Sequence, residues 1–284
     1  MTEIKFTPGV STASLYPRIL EDAFLFLAEN GVEATEIFIN TECELSGVYL
    51  ERVKTIINGT GIKVVSVHPF TCGLEPMMMY TEYERRMPDF LDFYSRYFEY
   101  MNAVGGEFFI LHGNKPPAKI PETLEFDRFA QLASRAAQFG VTVVQENVSR
   151  CLSRDLGKLL RMKEYLGDLA AFVLDVKQAR RSGYAPIDFV KALGGSIKHI
   201  HYSDAGAAGD CLFFGEGGGV CEGGGAENGG EDYAAFFREI HKIGYEGAVL
   251  LETYRDRGDP EYDRKLIENY KKMNNYLRKG EFLI

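Results

Sequence analysis

Three stretches decide the fold: 142-TVVQENV-148, 171-AFVLDV-176 and 197-IKHIHYSD-204. Each is a short apolar run ending on a side chain that can hold a metal or move a proton. Those side chains are Glu146, Asp175, and His199 with His201. Apolar runs of this length, bounded by turns and rich in Val and Ile, read as buried strands. A polar group at the end of a buried strand is costly unless it faces a site or a partner. Working outward, VVSVHPF (64–70) carries His68, FFILHG (108–113) carries His112 and AVLLETY (248–254) carries Glu252. One such ending could be accidental. Six together predict strand ends that converge on one metal-binding active site.

Strand-like and helix-like runs alternate along the whole chain. Strands are expected near residues 7–12, 35–40, 63–69, 107–113, 141–148, 171–176, 197–204 and 247–253. The amphipathic runs between them mostly end on glycine, the usual helix stop. Ser14 is a candidate N-cap for the first helix, and Pro88 a break or kink in the longest. Eight such units in 284 residues fit a single-domain (β/α)₈ TIM barrel spanning 1–284. A doubly wound open sheet is the alternative, but the first strand is not followed by GxGxxG. In a barrel the C-terminal ends of the strands share one rim. Glu36, His68, His112, Glu146, Asp175, His201 and Glu252, from the second to the eighth strand, then become neighbours.

The glycine-rich stretch at 215–230, GEGGGVCEGGGAENGG, follows the seventh strand. It reads either as a surface loop or as a mobile lid over the barrel mouth. Its three glutamates would repel a phosphate.

Hydrophobic residues make up 45% of the chain, enough for a full core, and the formal net charge is −9. The global field therefore opposes nucleic acid, and the sequence lacks a dense basic block. No apolar run approaches the ~18 residues of a membrane helix. The start, MTEIKFTPGV, lacks a signal-peptide pattern, and the five cysteines lack CxxC spacing. A cytoplasmic protein with reduced thiols, able to form a homo-oligomer, is the expectation.

Glu146, Asp175, His201 and Glu252 together offer three carboxylates and one imidazole. That set suits one divalent ion, Mn, Zn, Co or Mg. Such an ion could hold adjacent oxygens of a polyol, while carboxylates remove and return a proton on carbon.

The ordered series resembles the xylose isomerase-like TIM-barrel superfamily over nearly the whole chain. Its carriers are Ser66-x-His68, His112-Gly113, Glu146-Asn147, Leu174-Asp175, His199-x-His201-x-x-Asp204 and Gly215-Glu216-Gly217. G-Y-E-G before Glu252 completes it. The resemblance to the sugar-epimerase branch implies one divalent metal on Glu146, Asp175, His201 and Glu252, with Glu146 and Glu252 as the acid/base pair. It selects His201 over His199, which spacing alone does not. His199 is then a core or supporting imidazole.

Departures narrow the reading. The family's D-x-x-H on the sixth strand is here Asp175-Val176-Lys177-Gln178. Gln178 can hydrogen-bond a hydroxyl but is a poor zinc ligand. The nuclease branch's D-x-H positions hold Gly209 and Cys211, so a trinuclear zinc cluster is unsupported, and Cys211 reads as a small buried thiol. SDAGAAGD (203–210) also lacks an arginine common in ketose epimerases. His68, His112, Gln178, Lys177 and Arg150 are expected to bind substrate. Lys115 is a further cation near a strand end, and Phe70, Tyr202 and Tyr254 could stack on a sugar ring. His241 reads as a surface residue, and Glu36 as a supporting or salt-bridged carboxylate.

The expected activity is isomerisation or epimerisation of a sugar, sugar phosphate or related polyol, by proton transfer through a metal-bound enediolate. A metal-dependent dehydratase or lyase acting on a polyol such as inosose would use the same site. An abasic-site nuclease and a non-catalytic binding protein are the remaining alternatives. The expected partner is a small carbohydrate, with neither nucleic acid nor membrane.

Overall fold

Strand periodicity sets where each side chain points. Successive residues of a strand face opposite sides, so Glu36 and Phe38 share a face, as do Ser66 and His68, Glu146 and Val144, or His199 and His201. In the computed structural model, which describes residues 6–217, 232–254 and 258–283, these faces line the inside of a closed barrel. The strands in chain order are β1 (Thr7–Ser11), β2 (Ala34–Phe38), β3 (Lys63–His68), β4 (Phe108–Leu111), β5 (Thr142–Glu146), β6 (Phe172–Asp175) and β7 (Ile197–Tyr202). A short antiparallel hairpin follows, β8 (Asp204–Gly206) with β9 (Gly209–Leu212), and β10 (Ala248–Leu251) is the last barrel strand. Neighbouring barrel strands are parallel, and β1 closes the ring by pairing with both β2 and β10. Gly9 permits that closure. A Cβ there would lie 2.2 Å from the Ala34 carbonyl oxygen, so only glycine lets β1 and β2 come together.

The helices are α1 (Leu20–Glu29), α2 (Gly47–Thr60), α3 (Glu75–Met78), α4 (Arg86–Val104), α5 (Glu122–Ala137), α6 (Leu156–Leu166), α7 (Val176–Arg181), α8 (Pro186–Leu193), α9 (Tyr233–Lys242) and α10 (Tyr262–Lys279). Their apolar faces and the outward strand residues form the main core, a continuous shell between barrel and helices. Inside the barrel the apolar filling is smaller: Ile110, Val144, Ala171 and Val173 form one group, Ala34, Ala248 and Leu250 another. Above them the interior turns polar. No described helix is long and apolar enough to cross a membrane.

Several expectations change. Ser14 does not cap α1. It lies in a 3₁₀ turn after β1, and its hydroxyl accepts from the Thr253 amide at 3.0 Å, pinning the chain just after β10. Pro88 does not kink a helix. It stands in the first turn of α4, where a missing N–H costs nothing. The β8–β9 hairpin was not anticipated, because its sequence is short, alanine- and glycine-rich and not alternating. His241 is half-buried, edge-on to Phe6 with ring centres 6.3 Å apart, rather than on the surface. Of the glycine-rich stretch 215–230, residues 218–230 lie outside the described residues. Its entrance is held by Asp204, whose Oδ2 accepts from the amides of Gly215 and Gly217 at 2.9 and 3.0 Å.

Candidate functional site

Glu146, Asp175 and His201 end β5, β6 and β7, and Glu252 follows β10, so four adjacent strands bring them to one rim. One oxygen of Glu146, one of Asp175 and one nitrogen of His201 lie within 4.8 Å of each other. Glu252 Oε2 is 3.3 Å from His201 Nδ1, and Glu146 Oε1 is 3.9 Å from the same nitrogen. Asn147 holds β5 to β6 here: its Oδ1 accepts from the Asp175 amide at 2.8 Å and its Nδ2 donates to the Asp175 carbonyl at 3.0 Å. Asp175 Oδ1 in turn caps α7 by accepting from the Gln178 amide.

Each of the four residues has one buried polar atom with no hydrogen-bond partner: Glu146 Oε2, Asp175 Oδ2, His201 Nδ1 and Glu252 Oε2. Buried orphans are rare in folded proteins, and four on converging strand ends form a set of lone pairs awaiting a ligand. Three carboxylates and one imidazole fit a divalent cation. The residues therefore fit the metal that the fold family implies.

Beneath them lies Glu36, fully buried inside the barrel. Its Oε1 accepts from Ser11 Oγ at 3.0 Å and its Oε2 from Ser66 Oγ at 2.8 Å. Its Oε2 is also 2.9 Å from His201 Nε2 and 3.7 Å from His199 Nε2. Burial alone would raise the Glu36 pKa, but the two imidazoles and His68 hold it well below the ordinary value. The Glu36 carboxylate favours a hydrogen on His201 Nε2, which leaves Nδ1 facing Glu146 and Glu252. Burial lowers the His201 pKa, yet Glu36 and Glu252 outweigh it and raise it well above the ordinary value. Glu36 and His199, both expected as supporting residues, lie fully buried next to His201.

On the other side of Glu146 stand two imidazoles. His68 Nδ1 is 3.1 Å from the Pro69 carbonyl and its Nε2 is 2.8 Å from His112 Nε2. Glu146 Oε2 is 3.0 Å from His112 Nε2, near enough for charge attraction but outside hydrogen-bond geometry. Burial and the charge on His112 push the His68 pKa down to about 4. Burial disfavours a charged His112 too, but Glu146 raises it well above the ordinary value. The opposed shifts favour His112 as the donor of the bond between the two rings. Glu75, which the sequence did not single out, supports this corner: its Oε2 accepts from the Gly113 amide at 2.5 Å. A Glu before proline in TCGLEPMM carries no signal of that role.

A cavity of about 500 Å³ opens above the acids. Among its lining residues are His68, His112, Glu146, Glu252, Lys177, Gln178, Arg150, Phe70 and Tyr254, all foreseen, together with Tyr16, Phe38 and Asn40, which were not. Phe38 was within reach, since it shares a strand face with Glu36. Gln178 Oε1 is already used by Ser149, whose amide and hydroxyl donate at 3.0 and 2.7 Å. Tyr202 cannot stack on a ligand. It is fully buried on the outer face of β7, against Phe237 and Phe214. Lys115 lines a separate groove with Arg86 and Lys119 and does not reach this cavity's lining. Cys211 is half-buried, with Sγ 3.7 Å from the Glu252 carbonyl. Lys177, expected to bind substrate, is 2% exposed and lies in the cavity wall.

The architecture is a closed (β/α)₈ barrel with acids and imidazoles gathered at its C-terminal rim. Residues 24–279 match the family model described as xylose isomerase-like TIM barrel, and the chain belongs to that family. Among solved structures, one similar chain is a xylose isomerase-like TIM barrel/4-hydroxyphenylpyruvate dioxygenase fusion protein. The identity is 20% and the TM-score 0.74, over 96% of this chain but only 42% of the fusion. A D-allulose 3-epimerase from Methylomonas sp. is similar at 15% identity and TM-score 0.73, covering 96% of this chain and 98% of that one. A 3-keto-D-glucoside 4-epimerase from E. coli is similar at 18% identity and TM-score 0.68, covering 97% and 100%. No curated protein matches the sequence significantly.

Proposed function

We propose that the protein is a divalent-metal-dependent isomerase or epimerase acting on a sugar, sugar phosphate or related polyol. The observation that carries this reading is the set of four unpaired buried atoms on Glu146, Asp175, His201 and Glu252. Epimerases among the structurally similar proteins support it. A divalent cation on these four residues would supply a Lewis acid beside a carbonyl. Glu252 and Glu146 are the acid/base pair: one takes the proton from carbon and the other returns it on the opposite face, or the same one returns it to the neighbouring atom. Burial raises the Glu252 pKa, but Lys177 and His201 outweigh it and bring it down to about 2, which keeps this carboxylate ionised at neutral pH. His68 and His112 place a pair of hydrogen-bonded imidazoles beside Glu146, and Phe38, Phe70 and Tyr254 add aromatic surface to the cavity wall.

Elemental analysis of purified protein, then a panel of sugars and sugar phosphates in deuterated water, tests the reading. One metal per chain and solvent deuterium in the product carbon are expected. Product without exchange would point to hydride shift and remove the acid/base roles. An unsaturated product would instead assign the same site to a dehydratase. Tight binding with no turnover across the panel would make the protein a binding module.

A further inference from the structure

Lys177 occupies a place that the family pattern does not explain. It stands two residues after Asp175, in the first turn of α7, and lines the cavity. Its Nζ is 3.5 Å from Asp175 Oδ2 and 3.5 Å from Glu252 Oε2, beyond the 2.7–3.2 Å of a good hydrogen bond. The Tyr254 ring covers it, with the centroid 4.6 Å away. Cys211 is a further electrostatic neighbour, and neither carboxylate contact is a good hydrogen bond. A buried ammonium has three N–H donors, and leaving them unused is expensive. The two oxygens it faces are those left unpaired on Asp175 and Glu252. The ammonium therefore faces two of the site's three carboxylates and lines the cavity above them.

We propose that Lys177 is a catalytic residue of this site, whose ammonium donates a hydrogen bond to the substrate oxygen that gains negative charge as the neighbouring carbon loses its proton. The inference rests on the isomerase or epimerase reading and narrows the substrate to an α-hydroxy carbonyl compound. The C–H bond breaks and its proton forms an O–H bond on a glutamate carboxylate. The freed electron pair makes the C=C bond of an enediolate, and the carbonyl π pair moves onto the oxygen facing Lys177. Reprotonation of carbon reverses the flow, so no oxidant or other reactant is consumed. A fixed positive charge aimed where negative charge develops, inside a wall that excludes water, stabilises that state more than the ground state.

The test uses Lys177→Met, which keeps the length and removes the charge, and Lys177→Cys, which alkylation with 2-bromoethylamine converts to an aminoethyl side chain. Wild type treated with the same reagent controls for the other cysteines. With the substrate found on the panel, Lys177→Met should keep its metal and lose about 100-fold or more in kcat, with KM changed much less. Its affinity for glycolohydroxamate, an enediolate mimic, should fall by a comparable factor of about 100. Aminoethylation of Lys177→Cys should recover at least about tenfold over the same preparation before alkylation. This arm decides the matter if the Met variant does not fold. A Met variant within about threefold of wild-type kcat, or no recovery on aminoethylation, overturns the proposal. A wild type that neither turns over nor exchanges deuterium on the panel overturns the functional reading instead.

Discussion

At the scale of single residues, the site divides into atoms that hold and atoms that aim. Asp175 and His201 hold: we expect Asp175→Ala and His201→Ala to copurify without the metal found in wild type, read by elemental analysis. Metal retained by either variant would remove the assigned ligand set. Glu36 aims. With Glu36→Gln, the hydrogen on His201 Nε2 loses its charged acceptor, and we expect metal affinity to drop about 10–100-fold. Titration of the apo-variant with the metal alone reads this, and unchanged affinity would make Glu36 merely a filler. Most of these residues were legible in the sequence, because a charged side chain ending an apolar run needs a physical reason. Glu75 and Tyr16 were not. Tyr16 stands in a turn and Glu75 opens the four-residue α3, both too short for a period to say which way a side chain faces. Tyr202 misled for the opposite reason: one residue beyond His201, it shares the motif but by strand alternation points to the helices.

At the scale of elements, the helix boundaries follow from caps more than from hydrophobic periods. Asp155 accepts from the Lys158 amide at 2.6 Å and starts α6. We expect Asp155→Ala to lower unfolding free energy by ~1 kcal/mol and leave activity unchanged, measured by urea denaturation and by the assay above. A larger loss would mean that Asp155 does more than cap. α2, α4 and α10 stop at glycines with φ near 70°, as their sequences imply. The 3₁₀ turn after β1 and the β8–β9 hairpin escaped prediction because tertiary contacts define them. Ser14 is placed by the Thr253 amide, and β8 by the Asp204 carboxylate that ties in the loop entrance.

At the scale of the whole molecule, stability is coupled to pH through a buried carboxyl remote from solvent. Burial raises the Glu75 pKa from 4.5 to about 7, with the Gly113 amide and His112 pulling weakly the other way. The folded state holds this proton more tightly than the unfolded chain. Its stabilising share is complete below about pH 4.5 and is lost as pH rises through about 7, amounting to about 3 kcal/mol. We expect Glu75→Gln to remove that slope, so that denaturation at pH 8 favours the variant over wild type relative to pH 5. An identical pH profile for both proteins would show that Glu75 does not titrate in this window. The eightfold alternation announced the barrel, yet not its polar interior. That interior has a further consequence for assembly. The donors around Glu36 come from β1, β3 and β7, so the first half of the chain contains a buried carboxylate whose hydrogen-bonded imidazole, His201, belongs to the second half. Separated half-barrels would each leave a bare charge or unpaired imidazoles inside an open sheet. The two halves should consequently be folding-incompetent alone and complementary when expressed together, with recovery of compact structure depending on a glutamate at position 36.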